Sequence, residues 1–278
     1  MKKIGFWSVT SLVVGSQIGS GILLLPASLA PFGAIGLASW AITATGALCL
    51  ALIFARLCAA NPKPGGPHTY VEAAFGPKAS FYAAWTYWVI SWMSSAAVLI
   101  AIVGYLSPFL GAMDPLSNLL LEIAILLLLT WLNLMGVRAA GRVEFVFTLF
   151  KILPLLIIPC VGLWHINLEH FRPFNPTMQT PLSALNAAAL LTLWGFIGLE
   201  SATAPTEAVF NPAKTIPKAI VVGTAIVALV NVVNSFVMMG IMPMEALAHS
   251  KAPFAVAAGL LLGGNGSSNC WNCCHVAG

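Results

Sequence analysis

The chain alternates long apolar segments with short polar loops. Seven segments are long and apolar enough to cross a membrane, because about 20 apolar residues traverse the roughly 30 Å hydrocarbon core of a bilayer. They cover residues 7–30, 34–59, 80–106, 117–137, 144–165, 184–204 and 217–243, and an eighth begins near Pro253. The loop 61–67 is rich in proline and glycine and predicts a turn, followed by a short interfacial helix. The pattern therefore predicts an all-α polytopic membrane protein.

Two of these segments are interrupted by glycine. The first contains Gly-Ser-Gln-Ile-Gly-Ser-Gly over residues 15–21, and the sixth contains Trp-Gly-Phe-Ile-Gly-Leu-Glu-Ser over residues 194–201. Glycine inside a helix costs roughly 1 kcal/mol relative to alanine. In lipid, non-helical backbone survives only where protein or a water-filled cavity satisfies it. A pair of interrupted helices in the two halves of an inverted repeat is typical of a transporter's binding site.

Composition excludes several other classes of protein. Only 7% of the residues are charged and 59% are hydrophobic, whereas soluble domains carry about 25% charged residues. The net charge of +4 is spread over short loops, so a nucleic-acid partner is not expected. We find no His-Glu-x-x-His motif and no aspartate pair within a span. We therefore expect no enzyme activity, no cofactor and no metal site.

The loop cations predict the orientation of the chain. Positive residues are enriched in cytoplasmic loops, and one set of loops holds nine Lys or Arg residues while the other holds two. The first set is Lys2, Lys3, Arg56, Lys63, Lys78, Arg138, Arg142, Lys214 and Lys218, and the second is Arg172 and Lys251. We expect a bacterial inner-membrane protein with a cytoplasmic amino terminus.

The two interruptions offer complementary chemistry. Backbone N–H groups of Gly19, Ser20 and Gly21 stand where a half-helix begins, which suits a carboxylate. Unwound carbonyls around Ile197 and Gly198 suit an ammonium group. If the two interruptions meet in space, they form a site for an amino-acid zwitterion.

Three large or charged side chains within the spans have alternative interpretations. A carboxylate at membrane depth is costly unless it is paired, hydrated or protonated, so Glu200 either serves coupling or substrate binding, or caps its own unwound helix. Lys151 either serves as a coupling group in place of a bound cation or extends to the inner interface. Trp194 either lines a cavity or belongs to the core.

Three stretches of the sequence resemble the amino acid–polyamine–organocation transporters. Residues 15–30 are similar to the first helix of that family, residues 194–202 to its sixth helix, and Glu207–Pro217 to the inner loop that follows. The resemblance is strongest to the basic amino acid/polyamine antiporters, of which the arginine/agmatine exchanger is an example. It implies a LeuT-like inverted-repeat fold with discontinuous helices 1 and 6.

The resemblance also implies roles for individual residues. Gly19, Ser20 and Gly21 would bind the substrate carboxylate, Trp194 would stack on the substrate, and Ile197 would offer its carbonyl. The substrate-facing positions of the third helix would be Ile90, Ser91 and Ser95. Glu200 would couple transport to protons, and Lys151 would occupy the place of a sodium ion. A small amino acid or amine, the lipid bilayer and a second copy in a homodimer are the partners implied.

These observations lead to a domain and function hypothesis. Residues 1–262 would form the transporter domain, with a first repeat over about 7–165 and an incomplete second repeat over about 184–262. The Cys-rich residues 263–278 read as an aberrant or disordered tail of a truncated chain. We expect secondary active transport, either exchange or proton-coupled transport of a cationic amino acid or polyamine. The alternatives are a proton-coupled permease for neutral amino acids and an inactive fragment.

Overall fold

A computed structural model describes residues 3–111, 113–134, 152–203 and 206–262. Within these ranges the chain is built from α-helices joined by short 3-10 turns and loops. The helices are α1 (Phe6–Gln17), α2 (Ser20–Leu29), α3 (Ala34–Ala60), α4 (Pro67–Phe75), α5 (Pro77–Leu110), α6 (Pro115–Leu134), α7 (Ile152–His165), α8 (Pro181–Leu193), α9 (Pro212–Ile241), α10 (Met244–Ala248) and α11 (Pro253–Leu262).

Six of the seven predicted spans correspond to these helices, and the fifth, 144–165, is described only from residue 152 onward, as the shorter apolar helix α7. Helices α3, α5, α6 and α9 are each long and apolar enough to cross a membrane, as is the segment Pro181–Thr203 that starts with α8. Helices α1 and α2 are bent by 44° and together form a sixth candidate span. Helix α4 is the short helix predicted after the loop 61–67, and α11 is the beginning of the eighth segment. The all-α, multi-span architecture is therefore confirmed.

Helix α9 is the centre of the packed core, where it contacts α1, α2 and α3. At about 1.5 Å per residue its 30 residues span roughly 45 Å. A Cβ atom on Gly223 would lie 2.8 Å from Val13 Cγ1, so the glycine allows α1 to pack directly on α9. Close approach at small residues is the usual way in which membrane helices associate.

Helices α3 and α8 are joined by buried hydroxyl groups. Thr43 Oγ1 donates to Thr192 Oγ1 at 3.0 Å, and Ser39 Oγ lies 3.4 Å from the same atom. Thr192 also bonds the α8 carbonyls of Ala188 and Ala189. All three hydroxyl residues are buried, and hydrogen bonds of this kind hold membrane helices together. Helices α3 and α8 are therefore hydrogen-bonded to each other two residues before Trp194.

Helices α5 and α6 lie at the edge of this bundle and expose apolar side chains. Trp85, Trp88, Leu120 and Leu127 are each more than half exposed. An outward-facing apolar surface of this extent suits hydrocarbon and would be a liability in water. The periphery therefore has the character of a surface that faces lipid.

Helix α4 supports the end of the segment that follows α8. The ring of Tyr70 is buried, lies edge-on to Phe54 at 6.4 Å, and its hydroxyl lies next to Cys58 and Thr203. Burial raises the pKa of Tyr70, with a smaller contribution from Cys58. The Tyr70 hydroxyl is buried without a hydrogen-bond partner among the described residues, so packing holds this ring in place.

Candidate functional site

The first interruption separates α1 from α2. Helix α1 ends at Gln17, Ile18 leaves helical geometry (φ −76°, ψ 80°), and Gly19 is extended (φ −110°, ψ −153°). Helix α2 then begins at Ser20. The first amides of a helix have no partner within it, and they carry the positive end of the helix dipole. The Gly19 amide donates to Gln17 O at 2.9 Å, so the predicted donors for an anionic group reduce to the first amides of α2, at Ser20 and Gly21.

The end of α1 is fixed by a buried glutamine. Gln17 Nε2 contacts Thr224 Oγ1 of α9 at 3.4 Å and Val13 O at 3.5 Å, and the side chain is 5% exposed. This contact joins the first break to the central helix. Nothing in the local sequence distinguishes Gln17 from its neighbours, because its partner lies 207 residues further along the chain.

The second interruption follows α8. Residues Trp194–Phe196 form a 3-10 turn, Ile197 is extended (φ −64°, ψ 133°) and Gly198 has φ +102°. This φ is in the left-handed region that glycine adopts readily. Short 3-10 turns then cover Ser201–Thr203 and Thr206–Ala208. The backbone is therefore unwound from Trp194 onward, as the glycine spacing predicts.

The two breaks lie against each other. A Cβ atom on Gly21 would be 3.2 Å from Cδ1 of Trp194, and a Cβ atom on Gly198 would be 3.1 Å from the backbone of Ser16. The first contact places the start of α2 beside the indole, and the second places the left-handed turn on the end of α1. Residues that are about 180 positions apart in the chain thus form one junction.

Burial differs along the second break. Gly195 and Phe196 are buried, whereas Trp194 and Ile197 are 46% and 48% exposed. The turn is therefore anchored in the bundle through its middle and presents its two ends outward. Trp194 is therefore not part of the buried core, and its role in lining a cavity stays a prediction.

The α5 residues implied by the resemblance share an exposed surface. Ile90, Ser91 and Ser95 are exposed. Ser91 Oγ donates to Tyr87 O at 2.8 Å and Ser95 Oγ donates to Ser91 O at 2.9 Å. Each hydroxyl proton is used within α5, so each oxygen remains available as an acceptor.

Tyr87 connects α5 to the second break. Its phenol lies close enough to the Glu200 carboxyl group for the two to interact electrostatically. Glu200 is partly buried, and the phenol is a polar neighbour of the kind that a carboxylate at membrane depth needs. Tyr87 is absent from the site residues that the sequence suggests. The sequence places Tyr87 one helical turn before Ser91, on the same side of α5. Because this helix contains several other aromatic residues, the sequence alone did not single Tyr87 out.

Not every candidate residue can be placed. Lys151 lies outside the described residues, as do the first part of the predicted span 144–165 and the tail 263–278. The described residues bring together Gly21, Trp194 and Gly198, and separately Tyr87 and Glu200.

Sequence comparisons place this architecture in a family. Residues 4–268 match the family described as amino acid permease. The chain belongs to the amino acid permease family. This confirms the resemblance to amino acid–polyamine–organocation transporters.

Individual members of this family are close in sequence. The chain is 35% identical over 267 residues to a cadaverine/lysine antiporter of Escherichia coli K12. The matched region covers 94% of this chain and 59% of that protein. It is 38% identical over 262 residues to a putrescine transporter of Haemophilus influenzae, covering 92% of this chain and 59% of that protein. The corresponding E. coli K12 putrescine transporter is 37% identical, with 92% and 58% covered. The chain therefore spans about three fifths of the length of these relatives, which are transporters and not enzymes.

The junction between the breaks should depend on Gly198. In Gly198→Ala, the left-handed backbone costs about 1–3 kcal/mol, and the added Cβ also crowds the backbone of Ser16. We expect a lower melting temperature in detergent. Gly15→Ala is the matched control, because a Cβ there meets no atom within 4 Å. Equal melting temperatures for the two variants would contradict the close contact.

Proposed function

We propose that this permease exchanges a cationic amino acid for a diamine across a bacterial inner membrane. The observation that carries the proposal is the contact between the two helix breaks. Its support comes from the relatives named cadaverine/lysine antiporter and putrescine transporter. A neutral amino acid permease has no such relative in its favour among these three.

The first break would distinguish the two substrates. A cationic amino acid carries a carboxylate, which the amides of Ser20 and Gly21 would bind at the positive end of α2, while the Gly19 amide donates to Gln17 O. A diamine has no carboxylate, so the backbone amides of the first break would be hydrogen-bonded to water when a diamine is bound. The amino acid would therefore gain an interaction at the first break that the diamine does not make.

The second break would bind the feature that both substrates share. Each carries ammonium groups, for which the Ile197 carbonyl is an acceptor and the Trp194 ring a cation–π partner, worth about 0.5–2 kcal/mol. Ile90, Ser91 and Ser95 on α5 would complete the site from the opposite side. The half-exposed indole and the extended backbone at Ile197 support this assignment.

Glu200 and Lys151 would serve coupling. The Glu200 carboxylate would compensate the positive charge of the substrate, and the Tyr87 phenol would hold it in place when the site is empty. Lys151 would supply a fixed positive charge in place of a bound sodium ion. Exchange would then need no sodium gradient.

The remaining parts of the proposal concern topology and assembly. The loop cations support a cytoplasmic amino terminus, on the side where Lys214 and Lys218 begin α9. The inverted repeats, the first over about residues 7–165 and the partial second over about 184–262, belong to the proposal, as does a homodimer.

Reconstituted exchange tests the function directly. Proteoliposomes containing the chain are loaded with cadaverine, putrescine, alanine or buffer, and uptake of labelled lysine is measured. We expect internal diamine to stimulate uptake about tenfold over buffer, without a sodium gradient. Uptake that only alanine or leucine inhibits would favour the neutral permease. The absence of all uptake would contradict exchange by this chain.

Glu200→Gln removes the charge while keeping the size of the side chain. We expect the lysine–cadaverine exchange rate to fall by about tenfold or more, because the positive substrate loses its compensating carboxylate. Glu245→Gln is the matched control, since Glu245 is an exposed residue of α10. Equal exchange rates at equal amounts of reconstituted protein would remove Glu200 from the site.

A further inference from the structure

Helix α9 carries two buried asparagines within one turn of each other that contact different elements. Asn231 is 2% exposed and its Nδ2 donates to the carbonyl of Gly195 at 3.2 Å. Asn234 is 1% exposed and its Nδ2 donates to the α7 carbonyl of Leu155 at 3.2 Å. The two side chains are alike in type, helix and burial, but only Asn231 contacts the second break.

The carbonyl that Asn231 holds belongs to the residue next to Trp194. In a continuous helix this carbonyl would accept a hydrogen bond from the amide of Leu199, four residues on. The extended Ile197 and the left-handed Gly198 stand between the two groups. A carbonyl without a partner in a membrane core costs several kcal/mol. The side-chain amide of Asn231 therefore replaces the hydrogen bond that the break removes.

Trp40 of α3 holds the same turn from another side. Its ring packs edge-on to Phe196 at 5.8 Å, and its Nε1 donates to Ser235 Oγ of α9 at 3.0 Å. A Cβ atom on Gly195 would lie 2.9 Å from Trp40 Cη2 and 3.0 Å from Asn231 Nδ2. The backbone at Gly195 is therefore confined between these two side chains.

Packing alone does not explain an amide at position 231. The Oδ1 atom of Asn231 is buried without a hydrogen-bond partner, which is a costly state for a polar atom. A leucine of similar size would fill the space without that cost. The donated hydrogen bond to Gly195 is the property that a leucine lacks.

We propose that Asn231 is a positioning residue of the permease: by holding the Gly195 carbonyl it sets the direction of the Trp194 ring and of the Ile197 carbonyl. The effect on substrate affinity rests on the proposed function, whereas the effect on the backbone does not. Loss of the donor lets the turn between Trp194 and Ile197 rotate, so both groups leave the positions that bind an ammonium group.

The test compares Asn231→Leu with Asn234→Leu in the whole chain. Each variant also carries Ile197→Cys, and the rate at which a maleimide modifies Cys at this position is measured. The background from the other cysteines is the modification rate of the otherwise identical chain that keeps Ile197, and it is subtracted. We expect Asn231→Leu to change this rate by about threefold or more, and Asn234→Leu to leave it within about twofold. Asn231→Ala, which also lacks the donor, serves if Asn231→Leu does not yield folded protein.

Lysine and cadaverine binding, measured by calorimetry on the single variants, provides the second readout. We expect the Kd to rise about tenfold in Asn231→Leu and to change by less than about twofold in Asn234→Leu. Equal modification rates, or equal Kd changes in both variants, would overturn the positioning role. If the modification rates differ as expected but the unmodified chain binds neither compound, the positioning role holds and the proposed substrates are wrong.

Discussion

Hydrocarbon offers no hydrogen-bond partner to a peptide group, and this constraint shapes the architecture around the two helix breaks. The chain leaves helical geometry at Ile18–Gly19 and again from Trp194 onward. Each break lies next to a polar contact with α9: Thr224 meets the Gln17 side chain at the end of α1, and Asn231 donates to the Gly195 carbonyl at the second break. The central helix therefore supplies a partner for an unwound carbonyl at the second break, whereas at the first break the Gly19 amide donates to Gln17 O.

The same constraint explains the small residues at the junction. Gly21 and Gly198 let the two unwound segments approach to van der Waals contact, and Gly223 lets α1 pack on α9. A Cβ atom at any of these positions would lie 2.8–3.2 Å from the facing element, so that element would have to shift. Each break alone would leave unpaired backbone groups in hydrocarbon, and the two breaks pack together into one junction. Trp194 and Ile197 are the exposed residues of this junction.

Local features of the fold were predictable from the sequence, since they depend on residues close together in the chain. The glycine spacing at 15–21 and 194–201 located both breaks, and apolar length located the spans. The contacts that complete the site are different in kind. Tyr87 meets Glu200 and Asn231 meets Gly195 only after α5 and α9 have packed against the second break. Ile90, Ser91 and Ser95 came from the family resemblance, since no periodic pattern marks them.

Hydrogen exchange at the backbone amides of the two breaks, with and without cadaverine or lysine, is the most direct test that they form one site. The measurement needs no mutation and follows amides 18–21 and 195–200 in the same sample. Lysine should slow exchange in both segments together, whereas cadaverine should slow it mainly in the second, where the ammonium acceptors lie. Protection of the first segment alone, or of neither segment at saturating lysine, would contradict a shared site.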